Sequence, residues 1–386
     1  MSRLSGLNRL ARRPLIAVAV TSALLAGTAP LACAIPVSAG AKLQNAMNAF
    51  VVTKGGSPGI VVAIGQGKKF TLRTAGVANV VTKAKPLANS QMRMASVAKA
   101  FSGAAALSLV SRGKLKLADT VGKIVPKMPA AWKNITLAQL LQHTSGIPDL
   151  ITFDAFKIAV GKSPQVPPAP RVLLSYVTNP TLLFPAGTKY HYSNSDNMLV
   201  ALMIQNVTNR SYAGVLASNV YAPLGLKGTS LPVGSAMGTP TLRGYDISTK
   251  PLEDDTNLLA AGWSWASGGI VSTPADALAF VRGYVRGALF NKATRAAQFT
   301  FRPGNSEPTG PGTNYAGLGL FKYVTSCGTF YGHTGNTPGY TQFVASTADG
   351  SRGATVSINA QITPNTNPAQ FPALRNIFQL AVCATK

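Results

Sequence analysis

The alternation of apolar and polar positions divides this chain into β-rich ends and a helix-rich middle. Gly59-Ile-Val-Val-Ala-Ile64 and Lys69-Phe-Thr-Leu-Arg-Thr74 are short β-type runs separated by Gly65-Gln-Gly67, the pattern of an antiparallel hairpin. An alanine- and leucine-rich helix is predicted from about Ala95 to Ser111, with Gly113 and Lys114 as its stop. Helix-like segments follow at 136–142, 171–178, 195–207 and 211–220, interrupted by loops such as Ser163-Pro-Gln-Val-Pro-Pro-Ala-Pro170. Beyond Gly268-Gly269 a helix is predicted over 274–287, then strands at 317–324, 341–345 and 354–359 and a last helix over about 368–383.

Strands at both ends with helices between imply an α/β fold. Residues 40–114 and 261–386 are expected to form an antiparallel sheet flanked by helices, with 115–260 as a mostly helical inserted domain. A cleft is expected between the two. The first 39 residues follow another pattern: Arg3, Arg9, Arg12 and Arg13 precede an apolar stretch from Leu15 to about Leu31 and then small residues. This predicts an export signal and a periplasmic or secreted mature protein, with cleavage after Ala34 or after Ala39. The stretch falls short of the roughly 20 residues that a membrane span requires, so no stable span is expected.

Composition narrows the chemistry. The chain has 386 residues, 46% of them hydrophobic and 12% charged, which suits a globular enzyme with a large core. Acids are scarce, and Glu253 and Glu307 are the only glutamates, which argues against a paired-carboxylate glycosidase or a carboxylate-rich metal site. His143, His191 and His333 are far apart, and no zinc-type spacing occurs, so neither metal nor cofactor is expected. The net charge of +25 favours anionic surroundings, and losing the four signal arginines still leaves +21. Its lysines and arginines are dispersed, without the aromatic-interleaved stripe of a nucleic-acid binder, and no nucleic-acid partner is expected. Export removes Cys33 and leaves Cys327 and Cys383, for which a disulfide is expected in an oxidising compartment.

Three short motifs carry candidate chemistry. Ser96-Val-Ala-Lys99 opens the predicted helix, so the lysine stands on the serine's face, one turn on, and can take its proton. The helix N-terminus would stabilise negative charge there, and burial would bring Lys99 towards neutrality. A second copy, Ser111-Arg-Gly-Lys114, falls where Gly113 ends the helix and is read as a capping region. Tyr192-Ser193-Asn194 is the only Tyr-x-Asn, on a loop before a helix, where the tyrosine can shuttle protons or Asn194 can simply cap. His333-Thr334-Gly335 is the only His-x-Gly, placed where the chain enters a strand, and its glycine would allow close backbone approach.

In this order the motifs resemble those of the serine β-lactamase and penicillin-binding-protein superfamily, its class C-like branch above all. Leu140-Leu-Gln-His-Thr-Ser-Gly146, Pro185-Ala-Gly187, Pro223-Leu-Gly225 and Gly268-Gly-Ile-Val-Ser-Thr273 extend the likeness from about residue 45 to the C-terminus. His-Thr-Gly and Tyr-Ser-Asn, with Cys327 and Cys383, look most like the secreted D-alanyl-D-alanine carboxypeptidases. The resemblance implies Ser96 as acyl-enzyme nucleophile, Lys99 as its base, Tyr192 as proton donor to the leaving amine and Asn194 as clamp on the substrate amide. It also implies His333, Thr334 and Gly335 as the opposite wall, and the N–H groups of Ser96 and Asn336 as the oxyanion hole. Trp263 or Trp265 would line the cleft.

One departure concerns the arginine with which such carboxypeptidases read a substrate carboxylate. The strand corresponding to Gly317–Lys322 has none, offering Phe321 and Lys322 instead. The expected function is an exported serine hydrolase of D-alanyl-D-alanine termini, monomeric, acting on peptidoglycan stem peptides or a small ester or amide and acylated by β-lactams. An esterase of the same fold and a class C β-lactamase are the alternatives. A non-catalytic wall-binding protein would not need the full set of catalytic residue types, and an α/β-hydrolase elbow at Gly262-Trp-Ser-Trp-Ala266 lacks its final glycine.

Overall fold

Branched apolar residues alternate along β1 (Gly59–Gln66), with Ile60, Val62 and Ile64 in one core and Val61 in another, so the strand is buried on both faces. The computed structural model describes residues 38–386, so the expected export signal up to Val37, including Cys33, lies outside the described residues. The expected hairpin pairs β1 with β2 (Lys69–Gly76), Ile60 opposite Ala75 and Gln66 opposite Lys69. Further strands are β3 (Arg302–Pro303), β4 (Thr313–Ala316), β5 (Phe321–Thr325), β6 (Gly328–Thr337), β7 (Tyr340–Ser346) and β8 (Arg352–Ile358). Together they form one antiparallel sheet in the order β2-β1-β8-β7-β6-β5-β4-β3. The last strand of the chain pairs with β1, Ile60 opposite Ile358, so the two ends meet in one sheet as the pattern predicts.

Helices cover both faces. On one, α1 (Ala39–Val52) buries Leu43, Met47 and Phe50. The C-terminal helix buries Phe371, Leu374, Ile377 and Phe378 beside them, against Ile60, Val62, Phe343 and Val356 of the sheet. On the other face lie α2 (Ala98–Ser111) and a later helix, Pro274–Val285, with Phe101 stacked on Phe280 at 3.5 Å between ring centroids. Every residue of α2 from Ala98 to Leu109 is buried, because the helical part of the chain covers its remaining side. An alanine-rich helix suits such a position, since small side chains let neighbours approach. At Gly103 a Cβ would lie 2.9 Å from the Gly319 Cα and 2.8 Å from the Tyr284 hydroxyl. Among the described residues no helix is long and apolar enough to cross a membrane.

The structure differs from the sequence pattern in several places, among them helix α1 and a helix at Lys292–Gln298, which the pattern does not predict. The strand predicted from Gly317 starts at Phe321, because Gly317–Leu320 turns on itself with Gly317 N donating to Leu320 O at 2.8 Å. Strand β6 contains Gly328, Gly332 and Gly335, which dilute the alternation that marks a strand. Helix α3 (Asp154–Lys162) buries no residue fully and so carries little amphipathic signal.

Cys327, in the β5–β6 turn, is bonded to Cys383 at the end of the C-terminal helix, across a sequence separation of 56 residues. The expected disulfide is present. It clamps this helix to the β5–β6 turn. Closing a loop of this length stabilises a fold by about 2–4 kcal/mol. Cys383→Ser is expected to lower unfolding stability by that amount, measured as a fall in the urea midpoint relative to the oxidised protein.

Candidate active site

Ser96 sits in a 3₁₀ turn, Ala95–Val97, immediately before α2. Ala95 is held at φ 48°, a left-handed conformation that costs a non-glycine residue energy. Packing from two sides keeps it there. The β6 strand runs against this turn so closely that a Cβ on Gly335 would lie 2.7 Å from the Ser96 N and 2.8 Å from the Met94 O. Gly335 therefore sets the distance between the nucleophile turn and the sheet.

Lys99, one turn beyond, is 1% exposed and its Nζ has three partners. These are Ser96 Oγ at 3.0 Å, Asn194 Oδ1 at 2.7 Å and the Ser267 carbonyl at 2.9 Å. Burial lowers its pKa to about 7, while Asp149, Glu307 and Asp196 oppose that shift more weakly. A neutral amine has two hydrogens and one lone pair. Asn194 Oδ1 and the Ser267 carbonyl can only accept, so both hydrogens go to them and the lone pair is left facing the Ser96 hydroxyl. That is the arrangement of a general base.

Tyr192 is buried, and its hydroxyl lies beside Ser96 without a hydrogen bond of good geometry among the described residues. Burial raises its pKa well above the ordinary tyrosine value, so it keeps its proton and can act as an acid. The Lys99 Nζ stands 4.8 Å from the Tyr192 ring centroid, and the His143 ring packs on the other side at 4.5 Å. His143 is buried, with Nδ1 2.9 Å from Asp196 Oδ2, and the Ser145 hydroxyl donates to the other Asp196 oxygen. Burial lowers its pKa to about 3, leaving a neutral imidazole as a structural support for the tyrosine.

Asn194 opens the long helix Asn194–Thr208 and does not act as its cap. Its amide bridges two groups instead: Oδ1 accepts from Lys99, and Nδ2 donates to Asp149 Oδ2 at 2.8 Å. Asp149 thereby fixes which way the Asn194 amide points. One Nδ2 hydrogen remains for a substrate carbonyl. The carboxyl of Asp149 is itself 7% exposed, and burial raises its pKa against the opposing pull of Lys99. Asp149 follows closely on the Leu140–Gly146 signature, and only its acid identity in an acid-poor chain could have singled it out.

Strand β6 supplies the opposite side. His333 and Thr334 pair with Val344 and Phe343 of β7, and both are buried behind the cleft surface. Burial lowers the His333 pKa to about 3, so this wall presents no imidazolium at neutral pH. The Thr334 hydroxyl donates to the Pro308 carbonyl, and Asn336, Thr337 and Pro338 form the exposed surface.

The cleft has a volume of about 570 Å³, with Ser96, Tyr192, Asn194, Trp263 and Asn336 in its lining. Trp265 is not among the lining residues and packs on Tyr212 at 5.3 Å between centroids. One side is apolar, built from Leu150, Ile151, Phe156, Val160, Leu259 and Trp263. The other carries Glu307, Thr309, Asn336 and the amide- and hydroxyl-bearing stretch Gln361–Thr366. Lys322 takes no part, since its Nζ lies 4.4 Å from the Tyr315 ring and 5.3 Å from the Phe301 ring.

Known proteins resemble this chain. The family described as Beta-lactamase matches residues 41–377. Protein flp of Staphylococcus aureus (strain MW2) is 33% identical over 199 residues, 50% of this chain and 39% of its own length. The chain thus spans well under half of that curated relative. Penicillin-binding protein 4* of Bacillus subtilis (strain 168) is 23% identical over 302 residues, 73% of this chain and 63% of that protein. Among solved structures, a D-stereospecific amidohydrolase from Streptomyces sp. superposes with a TM-score of 0.77 at 26% identity, covering 90% of this chain and 99% of that one.

Two outcomes are expected at these positions. Because Asp149 raises the Lys99 pKa, Asp149→Asn should lower it further and move the acid limb of the kcat/KM–pH profile, centred near pH 7, to lower pH. A role in packing alone would reduce activity without moving that limb. Gly335→Ala must push the Ser96 turn away from β6, and should cost about 10²-fold in acylation rate with the far-ultraviolet circular dichroism spectrum unchanged.

Proposed function

The chain belongs to the beta-lactamase family, and from that premise and the cleft geometry we propose an exported serine hydrolase that cleaves amides through an ester on Ser96. The observation that carries this reading is the buried Lys99 amine, whose remaining lone pair faces the Ser96 hydroxyl. Lys99 takes the Ser96 proton as Oγ attacks the substrate carbonyl carbon. The C–N bond then breaks, and Tyr192 protonates the departing amine. The proton gained by Lys99 replaces the one Tyr192 gives up. Water attacks the acyl ester, gives one proton to this pair, and the pair returns it to Ser96 Oγ as the acid leaves.

The N–H groups of Ser96 and Asn336 would hold the oxyanion, a contribution worth about 10²–10³ in rate per donor. The substrate proposed is a D-alanyl-D-alanine terminus of a peptidoglycan stem peptide, with β-lactams as acylating inhibitors. The arginine-rich N-terminal segment supports export to the periplasm or medium.

A second reading, an amidase for D-amino-acid amides that lack a terminal carboxylate, is favoured by one observation. Among the described residues no lysine, arginine or histidine lines the cleft, so a substrate carboxylate meets no fixed cation from them there. The amidohydrolase similarity supports the same reading.

Intact mass after exposure to a penicillin tests the nucleophile. A single adduct on the native protein and none on Ser96→Ala is expected, whereas equal labelling of both, or none on either, rejects it. Lys99→Met should slow adduct formation by about 10²–10⁴-fold, the usual contribution of a general base.

A further inference from the structure

Glu307 is the one charged residue in the lining of the cleft. Lys99 acts on it only through space. Among the described residues the ion pairs use Asp119, Asp154 and Asp254, Asp196 is hydrogen-bonded to the neutral His143, and the Glu307 carboxylate has neither a salt bridge nor a hydrogen bond. Solvent reaches it through the open cleft, yet the surrounding protein raises its pKa, burial being the first cause.

The backbone that carries it is fixed on both sides. The Tyr190 hydroxyl donates to the Asn305 carbonyl at 2.5 Å. Tyr323 donates to Ser306 Oγ at 3.2 Å, and that hydroxyl donates to the Pro308 carbonyl at 3.1 Å. Thr334 donates to the same Pro308 carbonyl. Gly310 N is held by Ser306 Oγ and Asn314 Oδ1, and Arg375 Nε donates to the Gly310 carbonyl at 2.9 Å. A pinned loop thus presents a carboxylate without a partner to the space where substrate must sit. Lys99 cannot be that partner, since it is buried and committed to Ser96, Asn194 and Ser267.

We propose that Glu307 selects substrates by a protonated amine, so that the preferred substrate is an amino-acid amide or peptide whose α-amino group is unblocked. The inference rests on the acyl-Ser96 reading and specifies its amidase form. Thr334 is a positioning residue here: it holds the Pro308 carbonyl and through it the Glu307 backbone. The same carboxylate repels a substrate that brings a free carboxylate to this rim. Charge therefore selects in both directions.

The test compares D-phenylalanine amide, its N-acetyl derivative and p-nitrophenyl acetate on the full chain, for the native protein, Glu307→Gln and Ser96→Ala. The native protein is expected to favour the free amine over the N-acetyl form by at least tenfold in kcat/KM. Glu307→Gln should remove that preference, with a loss of roughly tenfold to a hundredfold on the amine, the worth of a charged hydrogen bond. Because Glu307 also raises the Lys99 pKa, ester turnover is compared on the alkaline plateau of its pH profile, where it should fall by less than the amine rate does. Equal rates on the amine and the N-acetyl amide, or a Glu307→Gln loss shared by the ester, overturns the assignment while Ser96-dependent ester turnover leaves the nucleophile standing. If no substrate is turned over, the nucleophile reading fails separately. Calorimetric binding of D-phenylalanine amide to Ser96→Ala then decides, supporting Glu307 if the amide binds at least tenfold tighter than its N-acetyl form and Glu307→Gln abolishes the difference, and overturning it otherwise.

Discussion

The burial of one amine organises this molecule. Lys99 lies on a helix enclosed on every side, and an ammonium with no partners would be costly to bury there. Of its three partners Ser96 is one turn away, whereas Asn194 and the Ser267 carbonyl lie 95 and 168 residues along the chain. Meeting all three requires the sheet side and the helical side to pack correctly around α2. The same burial that makes this demand also brings the amine to a pKa of about 7, where it can hold or release a proton. Stability and reactivity are therefore set by one constraint.

Around this centre the polar groups are arranged in order of decreasing burial. Asp196, Ser145 and His143 form a buried hydrogen-bonded group that supports the Tyr192 ring from behind. Asp149 is nearer the cleft and acts on the amine twice, through space and by holding Asn194. Glu307 stands at the rim, where solvent and substrate have access. Positive charge is distributed differently: among the described residues no lysine or arginine lines the cleft. Surface charges separated from the cleft by more than about 8 Å act on it weakly at physiological salt, so the local carboxylate sets the field that a substrate meets.

The apolar and polar sides of the cleft have separate origins in the fold. Helix α3 and the segment around Trp263 supply the apolar side, tied together by Trp263 Nε1 donating to the Ser163 carbonyl at 3.0 Å. The polar side comes from the end of β6 and the stretch after β8, joined by Gln361 Nε2 donating to Asn336 Oδ1 at 2.7 Å.

Much of this was legible in the sequence, where the chemistry is local. The spacing of Ser96 and Lys99 on a helix, the order of the three motifs, the β1–β2 hairpin and the pairing of two cysteines all depend on near neighbours or on counting. The bonds that complete the site are long-range. Asp149 lies 45 residues from Asn194 in sequence, and Pro308 lies 26 from Thr334, so no periodicity announces either contact. The sequence placed His333 at the entry to a strand but not the full length of β6, whose glycines dilute the alternation; Gly335 is demanded by the close approach to Ser96, a case in which tertiary packing overrides local propensity. Which tryptophan lines the cleft, which way Lys322 turns and where Glu307 stands were decided only by folding, because each depends on what packs beside it. The amino-acid order by itself determined the reacting groups. The tertiary structure determined their protonation and what they can reach, since both follow from burial.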